Sequence, residues 1–198
     1  MGENLAMFNV DTQQPSESTD RLVFRPRVAP FEARLAALLD YARTNDIVTV
    51  CTACVNAGPV QRVLPDDALF VPMDADVDWR ACLDGHRTIW IEKRSCGSPE
   101  INVRQRAFDL FCANPHIADI LGELGIPNYI VFGDSVGYCV RSTAEGLMRL
   151  GYRVTLVSDA IGRGVDSEAA CRQVIGSLQE MGAAVTTTDA LLQELRSS

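Results

Sequence analysis

Lysine is nearly missing from this chain. Of its 18 lysine and arginine residues, 17 are arginine and one, Lys93, is lysine. A surface ion pair accepts either residue, so a chain that uses arginine almost everywhere has no general need for lysine. Lysine offers a compact ammonium on a flexible stem, and its pKa falls readily when it is partly buried. Lys93 follows the apolar β-type run Thr88-Ile89-Trp90-Ile91-Glu92, which makes it a candidate working residue. The competing reading is a lysine on a solvated loop, left by chance in an Arg-biased composition.

Other shortages exclude whole classes of function. The net charge is −8, and no basic cluster is interleaved with aromatics, which argues against nucleic acid or an anionic membrane surface as the main partner. No apolar run approaches the ~18 residues of a membrane span. The opening Met1-Gly2-Glu3-Asn4-Leu5-Ala6 lacks the basic start and apolar stretch of a secretion signal. It also lacks the Ser or Thr that myristoylation favours. The seven cysteines, Cys51, Cys54, Cys82, Cys96, Cys112, Cys139 and Cys171, are odd in number and scattered, so they do not form a disulfide framework. Free thiols in a reducing cytoplasm are the simpler reading.

What is present describes an ordinary globular chain, 198 residues long, 47% hydrophobic and 22% charged, which suits one domain over 1–198 with a full core. Strands are expected at Leu5–Val10, Ile47–Cys51, Thr88–Glu92, Asn128–Gly133, Arg153–Ser158 and Ala184–Thr187. Helices are expected over Phe31–Arg43, from an Asn114 cap with Pro115 to a stop at Gly125, over Cys139–Leu150, and over Asp166–Met181, with a short one after Asp189. Thr12–Arg27 reads as a long loop and Asn56–Asp84 as irregular. Strands alternating with helices indicate a mostly parallel sheet covered on both faces, an α/β fold in three layers. In such sheets a ligand sits outside the carboxyl ends of the strands. The residues there are Asp11, Cys51 to Asn56, Lys93, Asp134 to Cys139, and Asp159.

Three of these carry chemistry. Cys139 follows the turn Gly133-Asp134-Ser135-Val136-Gly137-Tyr138 and opens a helix, where amides and the helix dipole lower a thiol pKa and can hold an oxyanion. Asp11 can take the thiol proton and return it to a leaving group. Lys93 can tune both. Together they supply a nucleophile, a base and an organiser, although such spacings also arise by chance in α/β chains.

The segment Ile130-Val-Phe-Gly-Asp-Ser-Val-Gly-Tyr-Cys-Val-Arg-Ser-Thr-Ala144, followed by Gly151-Tyr-Arg-Val154 and Val157-Ser-Asp-Ala160, resembles the isochorismatase-like cysteine hydrolases, which include nicotinamidases, N-carbamoylsarcosine amidases and ureidoacrylate or biuret hydrolases. Asn9-Val-Asp-Thr-Gln13 is similar to that family's opening Ile-Asp-Met-Gln, and Ile91-Glu-Lys-Arg94 to its lysine strand. The resemblance implies a catalytic Asp11, Lys93 and Cys139. It implies a six-stranded Rossmann-like sheet in order 3-2-1-4-5-6, with Lys93 reaching in from a more distant strand on a loop that bends inward. It also implies an oxyanion hole from the amides of Ser135 and Cys139 around a cis Asp134–Ser135 peptide, and assembly as a dimer or tetramer. Gln13, Asp134 and Tyr138 are candidate substrate contacts on strand-end loops.

The sequence departs from the family in places. Val136 and Gly137 stand where a Thr and an Asp are common. The metal-binding Asp-x-His pair of nicotinamidases is missing from Cys51-Thr-Ala-Cys-Val-Asn-Ala-Gly-Pro59. No cofactor and no metal are therefore expected. Cys51, Cys54, Cys82 and His86 could be drawn as a zinc site, but buried free thiols are favoured. The expected activity is cysteine-dependent hydrolysis of a small amide or carbamoyl compound. The alternatives are vinyl-ether hydrolysis, which does not need the Cys, or a catalytically silent member acting as a binding or assembly subunit.

Overall fold

The computed structural model of the chain describes residues 4–12, 14–15, 21–23, 32–56, 61–63, 68–72, 78–95, 109–164 and 167–197. In chain order the strands are β1 (Leu5–Val10), β2 (Gln14–Pro15), β3 (Arg21–Val23), β4 (Val48–Asn56), β5 (Gln61–Val63), β6 (Ala68–Val71), β7 (Thr88–Ser95), β8 (Asn128–Gly133), β9 (Arg153–Ile161) and β10 (Ala184–Thr186). The helices are α1 (Glu32–Thr44), α2 (Trp79–Leu83), α3 (Leu110–Ala113), α4 (Ile117–Leu124), α5 (Arg141–Arg149), α6 (Glu168–Glu180) and α7 (Thr188–Ser197). A single π turn, Val136–Val140, precedes α5.

Seven strands form one sheet in the order β10-β9-β8-β1-β4-β7-β6, and every neighbouring pair is parallel. The six expected strands keep their expected order. The seventh, β6, is added at the edge beyond β7, in a stretch expected to be irregular. Its flanking Pro65 and Pro72 mask it in the sequence, and Pro is tolerated at the ends of an edge strand. A second, three-stranded sheet joins β2, β3 and β5, so the expected loop at Thr12–Arg27 also contains strands. Their partners are remote in sequence and leave no local signal.

Period-two alternation splits the core between the two faces. Ala6, Phe8 and Val10 of β1 pack with residues of α2 to α6, while Met7 packs with α1 and α7. In β8, Tyr129 and Val131 join the first face and Ile130 and Phe132 the second. Phe8, Phe132 and Trp90 are buried, and Phe8 meets Tyr129 edge-on at 6.1 Å between ring centroids. Truncating such a core side chain to Ala costs roughly 2–5 kcal/mol. From β1 the chain runs outward through β4 to β7 and, on the other side, through β8 to β10. The switch point therefore lies at the carboxyl ends of β1 and β8, the place where such sheets bind their ligands.

Candidate active site

The two strands that follow β1 on one side of the sheet run further than their β-branched stretches. β4 continues to Asn56 and β7 to Ser95, with Cys54 opposite Lys93 in the register. Lys93 therefore lies inside a strand, two strands from β1, and no inward-bending loop is needed to bring it in. Alternation explains its direction. Ile89 and Ile91 face the α2-to-α6 side, and Lys93 is the next residue of that row. Val48 and Val50 do the same in β4, and Thr52 is their next residue. Two polar side chains thus end two adjacent apolar rows on one face.

Asp11 completes the group. It follows β1 with φ at +48°, a left-handed conformation that Asp adopts more readily than most residues. The Thr52 hydroxyl accepts from the Asp11 backbone N–H at 3.0 Å and donates to Asp11 Oδ1 at 2.6 Å. Lys93 Nζ donates to Asp11 Oδ2 in a buried ion pair. Lys93 is only 1% exposed and Asp11 9%, so each charge depends on its partner for the solvation it has lost.

Cys139 reaches the same spot from β8. Gly133 has φ at +122°, and a Cβ there would lie 2.2 Å from the Val10 carbonyl oxygen. Only glycine lets the β8 end approach the β1 end this closely. Asp134 N–H then bonds to Val10 O at 2.8 Å, and Gly162 N–H to Gly133 O at 2.8 Å. The Asp134–Ser135 peptide is cis. Val136 is buried in the core and its N–H bonds to Gly162 O at 2.9 Å. The π turn carries Cys139 next, and single π turns recur at functional sites.

Asp11 and Lys93 both act on the Cys139 thiol through charge and hydrogen bonding. Burial comes first and the Asp11 charge second; together they push the thiol up to about 12, against the opposing pull of Lys93. This corrects the expectation of a lowered pKa. Cys139 sits in the π turn, two residues before α5, and is half-buried. The thiol rests protonated beside a carboxylate, an arrangement suited to proton transfer on attack and unsuited to a standing thiolate.

A second layer fixes these groups. Thr12 Oγ1 donates to Asn9 Oδ1 at 2.9 Å, and Asn9 Nδ2 donates to Cys51 Sγ at 3.8 Å. Burial raises the Cys51 thiol to about 12. Asn114 is fully buried; its Nδ2 donates to Glu92 O at 2.9 Å, and its Oδ1 accepts from His116 N–H at 3.0 Å. It thereby grips the peptide that leads into Lys93, and α4 starts at Ile117, later than expected, with His116 at its cap. Thr52, Asn9 and Asn114 have no sequence signal as site residues, because their partners lie 41, 42 and 22 positions away.

Of the other expected site residues, Asp134 and Ser135 are half-buried in the turn and Tyr138 is 40% exposed. Gln13 lies outside the described residues, as does the Cys54 side chain. Among the described residues no three His, Cys, Asp or Glu side chains cluster as metal ligands would. Asp159 is structural. It accepts from Thr188 N–H at 2.8 Å at the start of α7 and pairs with Arg34 of α1 at 2.9 Å. Among the described residues no helix is long and apolar enough to cross a membrane.

A family model of the isochorismatase domain matches residues 25–190, a stretch that includes Lys93 and Cys139 and begins after Asp11. Comparison with curated proteins finds no match. Similar solved structures include the pyrazinamidase of Pyrococcus horikoshii in complex with zinc, at 17% identity, 93% of this chain, 99% of that chain and a TM-score of 0.61. They include the MAR1 ribonuclease of Caenorhabditis elegans, at 21% identity, 96% of this chain, 80% of that one and a TM-score of 0.60. The YcaC gene product of Escherichia coli, described as an octameric hydrolase of unknown specificity, matches at 20% identity, 94% of this chain, 76% of that one and a TM-score of 0.57. At these identities the likeness is one of fold.

Proposed function

The chain belongs to the isochorismatase family, and on that footing we propose that it is a cysteine-dependent hydrolase cleaving a C–N bond of a small amide or carbamoyl compound through a thioester. The observation that carries this reading is the buried Asp11–Lys93 pair acting on the Cys139 thiol. Asp11 takes the thiol proton as Sγ attacks the carbonyl carbon. The oxygen gains negative charge and is held by the amides of Ser135 and Cys139. The C–N bond breaks, and Asp11 returns the proton to the nitrogen, which leaves as ammonia or an amine. Water then attacks the thioester and gives a proton to Asp11. The C–S bond breaks, Asp11 re-protonates the sulfur, and the acid is released. Lys93 pairs with the carboxylate and keeps it in place between the two half-reactions. Gln13, Asp134 and Tyr138 contact the substrate.

The reaction takes place in a reducing cytoplasm that keeps the thiols free. The octameric state of the YcaC protein is in keeping with self-assembly of this chain. A screen for ammonia release over small amides, ureides and carbamoyl acids tests the reading. One class should be turned over, and Cys139→Ala should abolish that turnover without changing the far-UV circular dichroism. Turnover surviving in Cys139→Ala would move the chemistry to the vinyl-ether route. A wild-type chain inert to every compound and to thiol acylating agents would make it a silent binding subunit.

A further inference from the structure

We propose that Thr52 is the positioning residue of this site, setting the Asp11 carboxylate for the proton transfers of the reaction. The inference rests on the Asp11, Lys93 and Cys139 reading above. A threonine hydroxyl has one proton and can also accept. In this structure its acceptor side receives the Asp11 backbone N–H at 3.0 Å, so its proton is committed to Asp11 Oδ1 at 2.6 Å. One hydroxyl therefore fixes both the backbone and the carboxylate of the same residue. This matters because Asp11 is in the left-handed region at φ +48°, past the last strand residue, where the ladder no longer holds it.

The other carboxylate oxygen goes to Lys93. With Oδ1 held by Thr52 and Oδ2 by Lys93, the carboxylate plane is defined from two directions. Thr52 is itself rigid. It is 1% exposed, β-branched, and lies in the middle of β4 opposite Ile91, so its χ1 has little freedom. Being buried behind the carboxylate, it does not reach substrate, and its effect passes through Asp11. Cys139 needs Asp11 at both steps, to take the thiol proton on attack and to deprotonate water later, whereas departure of a good leaving group needs no proton from it.

That difference gives the test. 4-Nitrophenyl acetate acylates a thiol with release of nitrophenolate, which needs no protonation, and turnover then waits on hydrolysis of the acetyl thioester. Wild-type protein should show a nitrophenolate burst followed by steady turnover. Thr52→Val, which keeps the shape and removes the hydroxyl, should slow both the burst and the steady turnover by on the order of 10²-fold, the scale of a small misplacement of a catalytic group. Thr52→Ser, which keeps the hydroxyl and alters the packing, should stay within about threefold of wild type. The opposite ranking, with Val near wild type and Ser impaired, would reduce Thr52 to a packing residue and overturn the proposal. If Thr52→Val does not fold, Thr52→Ala against Thr52→Ser reads the same contrast. Asp11→Asn in the same assay separates the two levels. If Asp11→Asn loses steady turnover while Thr52→Val keeps it, only the Thr52 proposal fails. If Asp11→Asn turns over like wild type, the underlying reading fails.

Discussion

Asp11 exerts two effects on Cys139 that a single substitution separates. Its charge helps hold the proton on the thiol, and its carboxylate is the proposed acceptor of that proton during reaction. Asp11→Asn removes both, leaving Lys93 to favour the thiolate. Alkylation of Cys139 by iodoacetamide at mildly alkaline pH should therefore become faster, while amide turnover is lost. Slower or unchanged alkylation would show that Asp11 does not sense the thiol. At Lys93 the expectation runs the other way. Lys93→Arg keeps the charge, but its planar head exceeds a site that leaves the lysine only 1% exposed. It should cost on the order of 10²-fold in kcat/KM, about 3 kcal/mol of transition-state stabilisation. Wild-type kinetics in that variant would take Lys93 out of the site. Composition marks this residue as unusual, because arginine stands at every other Lys or Arg position in the chain, but its burial against Asp11 comes only from the fold. Thr52 carries no such mark: a threonine in a β-branched run looks like strand propensity, and only the fold brings it to Asp11.

At the scale of elements, the site depends on how closely β8 approaches β1. Gly133→Ala would drive a Cβ to 2.2 Å from Val10 O at a φ of +122°. One strand end must move, at about 3 kcal/mol or more, which for a chain of this size lowers Tm by roughly 6–12 °C. Turnover should fall with it, since Val10 precedes Asp11. A melting point unchanged within about 1 °C would contradict the close approach. The turn around Gly133 is legible because its glycines and Cys139 are adjacent in sequence. The full length of β7 is not, because it ends on the polar Lys93-Arg94-Ser95, and β4 runs on to Asn56 past the point where its β-branched run stops. Edge strand β6 is hidden by its prolines. The start of α5 is misplaced because a π turn and an α-helix share the same spacing of apolar residues over so few positions.

Over the whole molecule, buried thiols tie stability to alkaline pH. Cys51 and Cys139 are both raised from 9.0 to about 12, and Tyr129 is raised as well, mainly by burial. The folded chain keeps protons that the unfolded chain gives up from about pH 9 upward. The stability these groups contribute is thus fully present below about pH 9 and is lost as pH rises toward 12. The urea midpoint should fall steadily across that window, and Cys51→Ala should flatten the decline, even from a lower starting stability. A midpoint independent of pH over the window, or an equal slope in the variant, would contradict the burial of these groups.

Acetylation by 4-nitrophenyl acetate, quenched in acid and mapped by mass spectrometry, reads directly whether Cys139 is the nucleophile and Asp11 the base of its deacylation. Cys112 is exposed and serves as an internal reference. Wild-type protein should carry a transient acetyl group on Cys139 that decays with turnover. The same group should persist on Cys139 in Asp11→Asn, where water lacks its base. Label that accumulates on Cys112 and leaves Cys139 bare, or decay at the same rate in both proteins, would contradict that assignment.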